Sequence, residues 1–301
     1  MTPFKIMMDT SNDLPLDFMA EHDIEMVSMP FHIDGVFHSG GRWQEISDTE
    51  YYDALGNGSV AGTTLINRES FIELYTDYAE RKDSLLVICL SSGLSGTYEN
   101  SALALGDVKI KYPDCDIFTV DSLTAAGGGG LVTALAVRKR SEGLTAGETA
   151  AWLEQQRHRC ISLFTVDDLM YLHRGGRLSK LSAIAGSIIG IKPLLNVAPD
   201  GTLTLKDKVR GRNGALEKLV SQMKRSLDPE TSLDIVTISH TNCEADALAT
   251  AELVRAAVNV REVLIVMMGP VIGAHVGPGT IALFYEADMT RSEYEAKFYS
   301  K

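Results

Sequence analysis

Hydroxyl and glycine side chains gather where an apolar run stops. Leu85 to Leu90 (LLVICL) leads directly into Ser91-Ser-Gly-Leu-Ser95-Gly-Thr97. A buried strand that ends in Gly and Ser at a helix start leaves backbone N–H groups unpaired, and such a terminus suits an anion. Ser92 and Ser95 add hydroxyl donors, and Gly93 and Gly96 let a ligand come close to the backbone. A carboxylate or a phosphate fits this chemistry. The plainer reading is that Ser92 or Ser95 simply caps the following helix.

A second group is Gly269-Pro-Val-Ile-Gly273-Ala-His275-Val-Gly277-Pro-Gly279-Thr, which reads as a stiff loop placed directly after an apolar strand. His275 can donate a hydrogen bond or act as a base there, because imidazole changes charge near neutral pH. A lone histidine is also a common structural residue. No second His or Cys stands at short spacing, which argues against metal. A third group, Asp167-Asp-Leu-Met-Tyr-Leu-His-Arg174-Gly-Gly-Arg177-Leu-Ser179-Lys180, has two glycines breaking a helix. Arg177 and Lys180 suit an anionic ligand, a protein surface or the carbonyls at a helix end.

Three enzyme motifs fail against these segments. Gly93-Leu-Ser95-Gly-Thr97 has Thr where a nucleophile elbow needs its last Gly. The Walker pattern is absent, and Gly127 to Gly130 is followed by Val132 where G-x-G-x-x-G needs its closing Gly. Four consecutive glycines are better explained by close packing of a helix on a sheet.

The elements that must carry these residues follow βαβ grammar in the first half. Phe4 to Met8, Leu85 to Leu90 and Asp116 to Val120 are strands, each followed by small or polar residues and a helical stretch, which predicts a parallel sheet. Ligands collect at the carboxyl ends of such strands, here Asp9-Thr-Ser11, the SSGLSGT loop and Asp121-Ser122. Beyond about residue 160 the grammar changes. Ile161 to Val166 is a strand, Asp167 to Leu172 opens a helix, and Leu181 to Ile191 is an apolar helix. Leu194 to Ala198 and Thr202 to Val209 form a hairpin about Pro199-Asp-Gly201. Asp234 to Ile238, Val263 to Met267 and Thr280 to Phe284 are further strands, with a helix from about Cys243 to Val258. The prediction is an α/β chain of two domains: a parallel-sheet domain over residues 1–160 and a mixed domain with a β-hairpin over 161–301.

At 301 residues the chain is long enough for two cores, and its 45% hydrophobic and 23% charged content is that of a folded globular protein. A net charge of −12 disfavours nucleic acid and anionic bilayers as main ligands. Residues 173–225 depart from this, with eleven basic against three acidic side chains for a local +8 while the remainder carries −20. That stretch is either a solvated face or a docking surface for an acidic partner or phosphate. Four cysteines stand 26, 45 and 83 residues apart with no zinc-type spacing, which suggests free thiols in a reducing compartment. Asp9 comes before any long apolar stretch, unlike a signal peptide, so a cytoplasmic protein is expected. Val263 to Ala274 and Ala183 to Ile191 are too short to span a membrane.

Seven segments in order, Asp9-Thr-Ser-Asn-Asp-Leu-Pro15, SSGLSGTY, Val120-Asp-Ser122, DDLMYLHRGGRLSK, GIKPLLNV, KVRGR and GPVIGAHVGPGT, resemble the DegV family of fatty-acid-binding proteins over nearly the whole chain. The resemblance implies two α/β domains that bury one long-chain fatty acid between them. It also implies a partner fatty acid kinase that phosphorylates the presented carboxylate, with no cofactor and no catalytic residue in the binding protein itself. The carboxylate-binding positions it implies are Thr63, Thr64, Ser92, Ser95, Gly96 and His275. The chain departs from the family at Thr64-Leu-Ile-Asn67, which replaces a Ser-Gln-Pro-Ser segment.

For the acyl tail, Ala183-Ile184-Ala-Gly-Ser-Ile188-Ile189-Gly-Ile191 mixes branched walls with small gaps, making Ile184, Ile188 and Ile189 the expected tunnel residues; an ordinary core helix reads the same way. At about 0.8 kcal/mol per CH₂, some fifteen methylenes give roughly 12 kcal/mol before ordering costs, against about 1.5–3 for one hydrogen bond to a charged group. Affinity is therefore expected from the tail and placement from the head group. Arg177, Arg210 and Arg212 are the expected kinase contacts. The competing reading is a serine acyl hydrolase using Ser95 and His275.

Overall fold

A computed structural model describes residues 4–40, 46–178 and 190–299. The first half begins with β1 (Lys5–Asp9), α1 (Leu16–Glu21), β2 (Ile24–Val27), β3 (Phe31–Ile33) and β4 (Val36–His38). It continues through α2 (Asp48–Gly56), β5 (Ala61–Thr63), α3 (Arg68–Arg81), β6 (Leu85–Cys89), α4 (Thr97–Lys111), β7 (Ile117–Asp121), α5 (Gly127–Ser141) and α6 (Ala146–Gln156). Four of these strands form a parallel sheet in the order β2-β1-β6-β7. Its central strand β6 is buried at all five positions, which is why its sequence is an unbroken apolar run.

The second half contributes β8 (Cys160–Thr165), α7 (Met170–Arg174), β9 (Ile191–Val197), β10 (Leu203–Arg210), α8 (Arg212–Arg225) and β11 (Ser232–His240). It closes with α9 (Glu244–Ala257), β12 (Asn259–Met267), α10 (Pro270–Val276), β13 (Ile281–Glu286) and α11 (Arg291–Tyr299). Its sheet runs β10-β9-β8-β13-β11-β12 and is mixed, with only β11 and β12 parallel. The α/β class, the parallel first sheet, the mixed second sheet and the β9–β10 hairpin all agree with the sequence reading.

Three readings need correction. A third, antiparallel sheet, β4-β3-β5, was not foreseen; its strands have three residues each, too few for any periodicity to register. The strand expected to open at Leu194 begins at Ile191, so the residue that closed the expected apolar helix lies in β9. The glycine- and proline-rich stretch read as a loop is the helix α10. Pro270 sits at its start, where a missing N–H costs nothing, and Gly277 ends it at φ +70°. A side chain at Gly277 would also collide with the ring of Tyr171.

The two larger sheets share one hydrophobic core. Ile6, Met8 and Val132 belong to the same cluster as Phe164, Leu195 and Phe284. Helix α5 lies between the sheets and is buried over its first eleven residues. Its glycines permit that approach, since a Cβ at Gly127, Gly128, Gly129 or Gly130 would strike Ser239, Thr124, Asn12 or Asp13 respectively. Close packing is therefore their role. A separate cluster on the far face of the six-stranded sheet holds α8 and α9 through Leu219, Met223 and Val254.

Candidate functional site

The elements that carry His275 and Thr63 come from opposite halves of the chain. Helix α10 is fixed from below by the first half: the Gly269 amide donates to Asp13 at 2.9 Å, and the hydroxyls of Tyr51 and Tyr52 donate to the carbonyls of Pro270 and Met268, each at 2.8 Å. This aims His275, on the last turn, at the end of β5. Its Nε2 is 2.9 Å from Thr63 Oγ1. Nδ1 is buried without a partner, and a Cβ at Gly175 would collide with it. Burial first, and the Arg177 guanidinium second, push the imidazole down to about pKa 4, so it is neutral at pH 7. A neutral ring both donates and accepts, and the Thr63 bond uses one of those roles.

The SSGLSGT loop stands opposite. Ser95 Oγ accepts from the Thr97 amide at 3.3 Å and bonds Thr97 Oγ1 at 3.0 Å, so it sits on the N-terminus of α4. Gly96 is the capping residue and offers no side chain of its own. Both the helix-capping reading and the donor reading of Ser95 therefore describe the same atom. Ser92 is different: it is exposed and outside the cavity wall, and its amide donates to Asp121 at 3.2 Å. The buried hydroxyl of this loop is Ser91, which donates to the Gly201 carbonyl at 2.9 Å and ties the hairpin turn to the first half.

These groups meet at one end of a cavity of about 370 Å³, within the usual range for small-molecule sites. Thr63, Thr64, Ser95, Gly96, Arg177 and His275 line that end. The other walls are mostly apolar and come from both halves, among them Met29, Leu90, Phe164, Leu203, Ile272 and Phe284. A polar chamber of about 300 Å³ shares Thr63, Arg177 and His275 with the cavity and adds His32, Tyr171 and Arg174. The three shared side chains thus stand between an apolar space and a polar one.

The arginines do not act as one group. Arg177, expected at a docking surface, lies in the wall of both spaces and donates to the carbonyls of Leu94 at 3.2 Å and Gly175 at 2.6 Å. It is half-buried, and desolvation lowers its pKa. A fixed cation therefore stands beside Thr63 and His275, a place that suits the anionic-ligand reading of Arg177 better than the docking one. Arg212 pairs with Asp246 at 2.8 Å and Asp167 at 3.3 Å, an internal role. Arg210, at the end of β10, is exposed.

The segment Thr64-Leu-Ile-Asn67 is built into both the cavity wall and the helix that follows it. Thr63 and Thr64 line the cavity, Leu65 lies against Gly96, and Asn67 caps α3 by accepting from Ser70 at 2.8 Å. Asn caps a helix as well as Ser does. Ile184, Ile188 and Ile189, the expected tunnel residues, lie outside the described residues, as do Ser179 and Lys180. The apolar wall seen here, above all Phe164, Phe284 and the α10 residues, was missed. Both faces of β13 are apolar, so alternation alone could not tell which one borders a cavity. Among the described residues no hydrogen bond joins Ser95 to His275, and no group of His, Cys, Asp or Glu is arranged to hold a metal.

The fold and site define an α/β protein with an apolar cavity between two sheets, closed at one end by hydroxyls, an imidazole and a guanidinium. The family model for DegV, described as an uncharacterised protein of the DegV family, matches residues 3–288. A DegV domain-containing protein of Clostridium perfringens is 34% identical over 289 residues, covering 96% of this chain and 99% of its own. The crystal structure of a DegV lipid binding protein from Thermotoga maritima superposes with a TM-score of 0.84 at 28% identity, over 96% of this chain and 100% of that one. A second Thermotoga maritima protein, whose structure is described as revealing fatty acid binding function, gives a TM-score of 0.82 at 29% identity, over 95% and 99%. The chain belongs to the DegV family. No helix among the described residues is long and apolar enough to cross a membrane.

Proposed function

We propose that the protein binds one long-chain fatty acid in the cavity between its halves, residues 1–160 and 161–301, and presents the carboxylate to a partner fatty acid kinase that forms the acyl phosphate. The observation that carries this is the polarity of the cavity: apolar walls along its length, with Thr63, Ser95, Gly96, His275 and Arg177 together at one end. Fatty acid binding by the Thermotoga maritima relative supports it. The polar chamber beyond Thr63 and His275 supports presentation, because it offers a phosphoryl donor a wet approach to the same carboxylate from the side opposite the tail.

In this reading the protein supplies no chemistry of its own. His275, neutral and bonded to Thr63, donates to the head group without adding charge, and Arg177 supplies the fixed positive charge. Ser95 and the N-terminal amides of α4 complete the cradle. A hydrolase would need Ser95 activated by His275, but Ser95 is engaged with Thr97 and His275 with Thr63. Four free thiols, two of them buried, support a reducing cytoplasm.

Native mass spectrometry of the purified chain, followed by denaturation and lipid extraction, tests the reading: one fatty acid per chain is expected. Ser95→Ala and His275→Ala should each retain lipid, because one lost hydrogen bond is about 1.5–3 kcal/mol against roughly 12 from the tail, while phosphoryl transfer by the kinase drops at least tenfold. Complete loss of lipid from either folded variant would contradict that division. Arg210→Glu should keep full lipid content and block transfer, since this exposed side chain lies in the basic stretch. Unchanged transfer would remove the docking role.

A further inference from the structure

We infer that Phe284, with Ala282 beside it, sets the length of the acyl chain the cavity accepts; the inference rests on the fatty acid reading above. One face of β13 and the residues leading into it carries Thr280, Ala282, Phe284 and Glu286 in alternation. The first three line the cavity. Thr280 sits against the end of α10, its hydroxyl donating to the carbonyls of Val276 at 3.2 Å and Gly277 at 3.3 Å, and so marks the His275 end. At roughly 3.3 Å per residue, Phe284 lies some 13 Å further along the strand. Glu286, next in line, is outside the cavity and pairs with Arg138 at 3.6 Å. The apolar face therefore stops at Phe284.

The ring cannot retreat from a longer tail. A Cβ on Gly128 would be 2.8 Å from Phe284 Cδ1, so the start of α5 already touches the ring. Around it the same sheet face is pinned to the first half: Ser162 bonds Thr124 at 3.0 Å, Ser239 accepts from the Gly127 amide at 3.0 Å, and Thr237 donates to the Gly127 carbonyl at 2.7 Å. These bonds hold the start of α5 against the ring and its neighbours on the sheet. Ala282, paired in register with Phe164 on β8, lines the cavity one step before Phe284 on the same face, and its small side chain leaves room there that a larger one would fill.

The test offers the delipidated chain a mixture of saturated fatty acids of graded length and identifies what is retained by mass spectrometry. Each methylene is worth roughly fourfold in affinity, so Phe284→Leu should shift the balance about fifteenfold towards a chain two carbons longer than wild type prefers. Ala282→Leu should shift it by a similar factor towards shorter chains. Should Phe284→Leu fail to fold, Ala282→Leu decides alone, because it adds volume rather than opening a void. Wild type that retains a fatty acid while folded variants keep its chain-length order would overturn the gauge. Wild type that retains none would overturn the fatty acid reading instead.

Discussion

Saturating the delipidated protein with a long-chain fatty acid is expected to raise its Tm by about 6 °C. The cavity lies inside the core cluster that joins the two larger sheets, with Phe164 and Phe284 belonging to both. A tail in that space binds only the folded chain, since unfolding separates the walls. A ligand present at about a thousand times its Kd stabilises by roughly 4 kcal/mol, and each kcal/mol moves the Tm of a 301-residue chain by about 1.5 °C. A short carboxylic acid at the same concentration, which offers the head group without the tail, should shift the Tm by no more than about 1 °C, because it keeps only the contacts at Thr63, Ser95, His275 and Arg177. Differential scanning calorimetry on the delipidated chain, with each acid added, checks both values. Equal shifts for short and long acids would mean that the apolar walls contribute nothing, and the cavity would not be an acyl site.

The parts of the fold that could be read from sequence are those in which one force acts alone. Strand β6 is apolar because both its faces are covered, and the β9–β10 hairpin is announced by Asp200-Gly201, where Gly201 takes φ +80°. Gly127 to Gly130 is readable for the same reason, since only a bare backbone fits against Asn12 and Asp13. Legibility fails where two requirements meet. In α10, prolines and glycines look like a loop, yet Pro270 and Gly277 only bound the helix. The helix is held by Tyr51, Tyr52 and Asp13, more than two hundred residues away in sequence.

The site follows the same division. Ser95, Gly96 and His275 stand out by residue chemistry alone and Thr63 only through the family resemblance, and all four line the cavity. Ser92 has the right chemistry in the same loop but faces solvent, and one residue of offset in a turn decides that. From sequence, Arg177 suits an anionic ligand, a protein surface or the carbonyls of a helix end equally well. Its position in the wall depends on two carbonyls, at Leu94 and Gly175, that no side-chain pattern encodes.

Two buried ionisable groups are expected to mask each other's effect on stability. His275 is held down to about pKa 4 from an ordinary 6.5, mainly by burial. As pH falls below 6.5 the unfolded chain takes the proton first, so the stability due to neutral His275 is lost progressively and is gone once pH passes below about 4. Asp9 is raised to about 6 from 3.8, again mainly by burial, although the amides of Ser11 and Leu90 donate to it. Its contribution is complete below 3.8 and is lost as pH rises through 6. Each amounts to about 3 kcal/mol, with opposite sign, over nearly the same interval. Urea unfolding of the delipidated wild type should therefore show little net slope from this pair between pH 4 and 6. Relative to wild type, Asp9→Asn should lose about 3 kcal/mol between pH 6 and 4, and His275→Gln should gain a similar amount. Asp9→Asn will also be less stable at every pH, because an amide cannot accept from both Ser11 and Leu90 as a carboxylate does. The slope, not the offset, carries the prediction. Profiles parallel to wild type in both variants would show that folding shifts neither pKa. His275 would then titrate near its ordinary 6.5, and the reading of it as a neutral donor held by burial would fall.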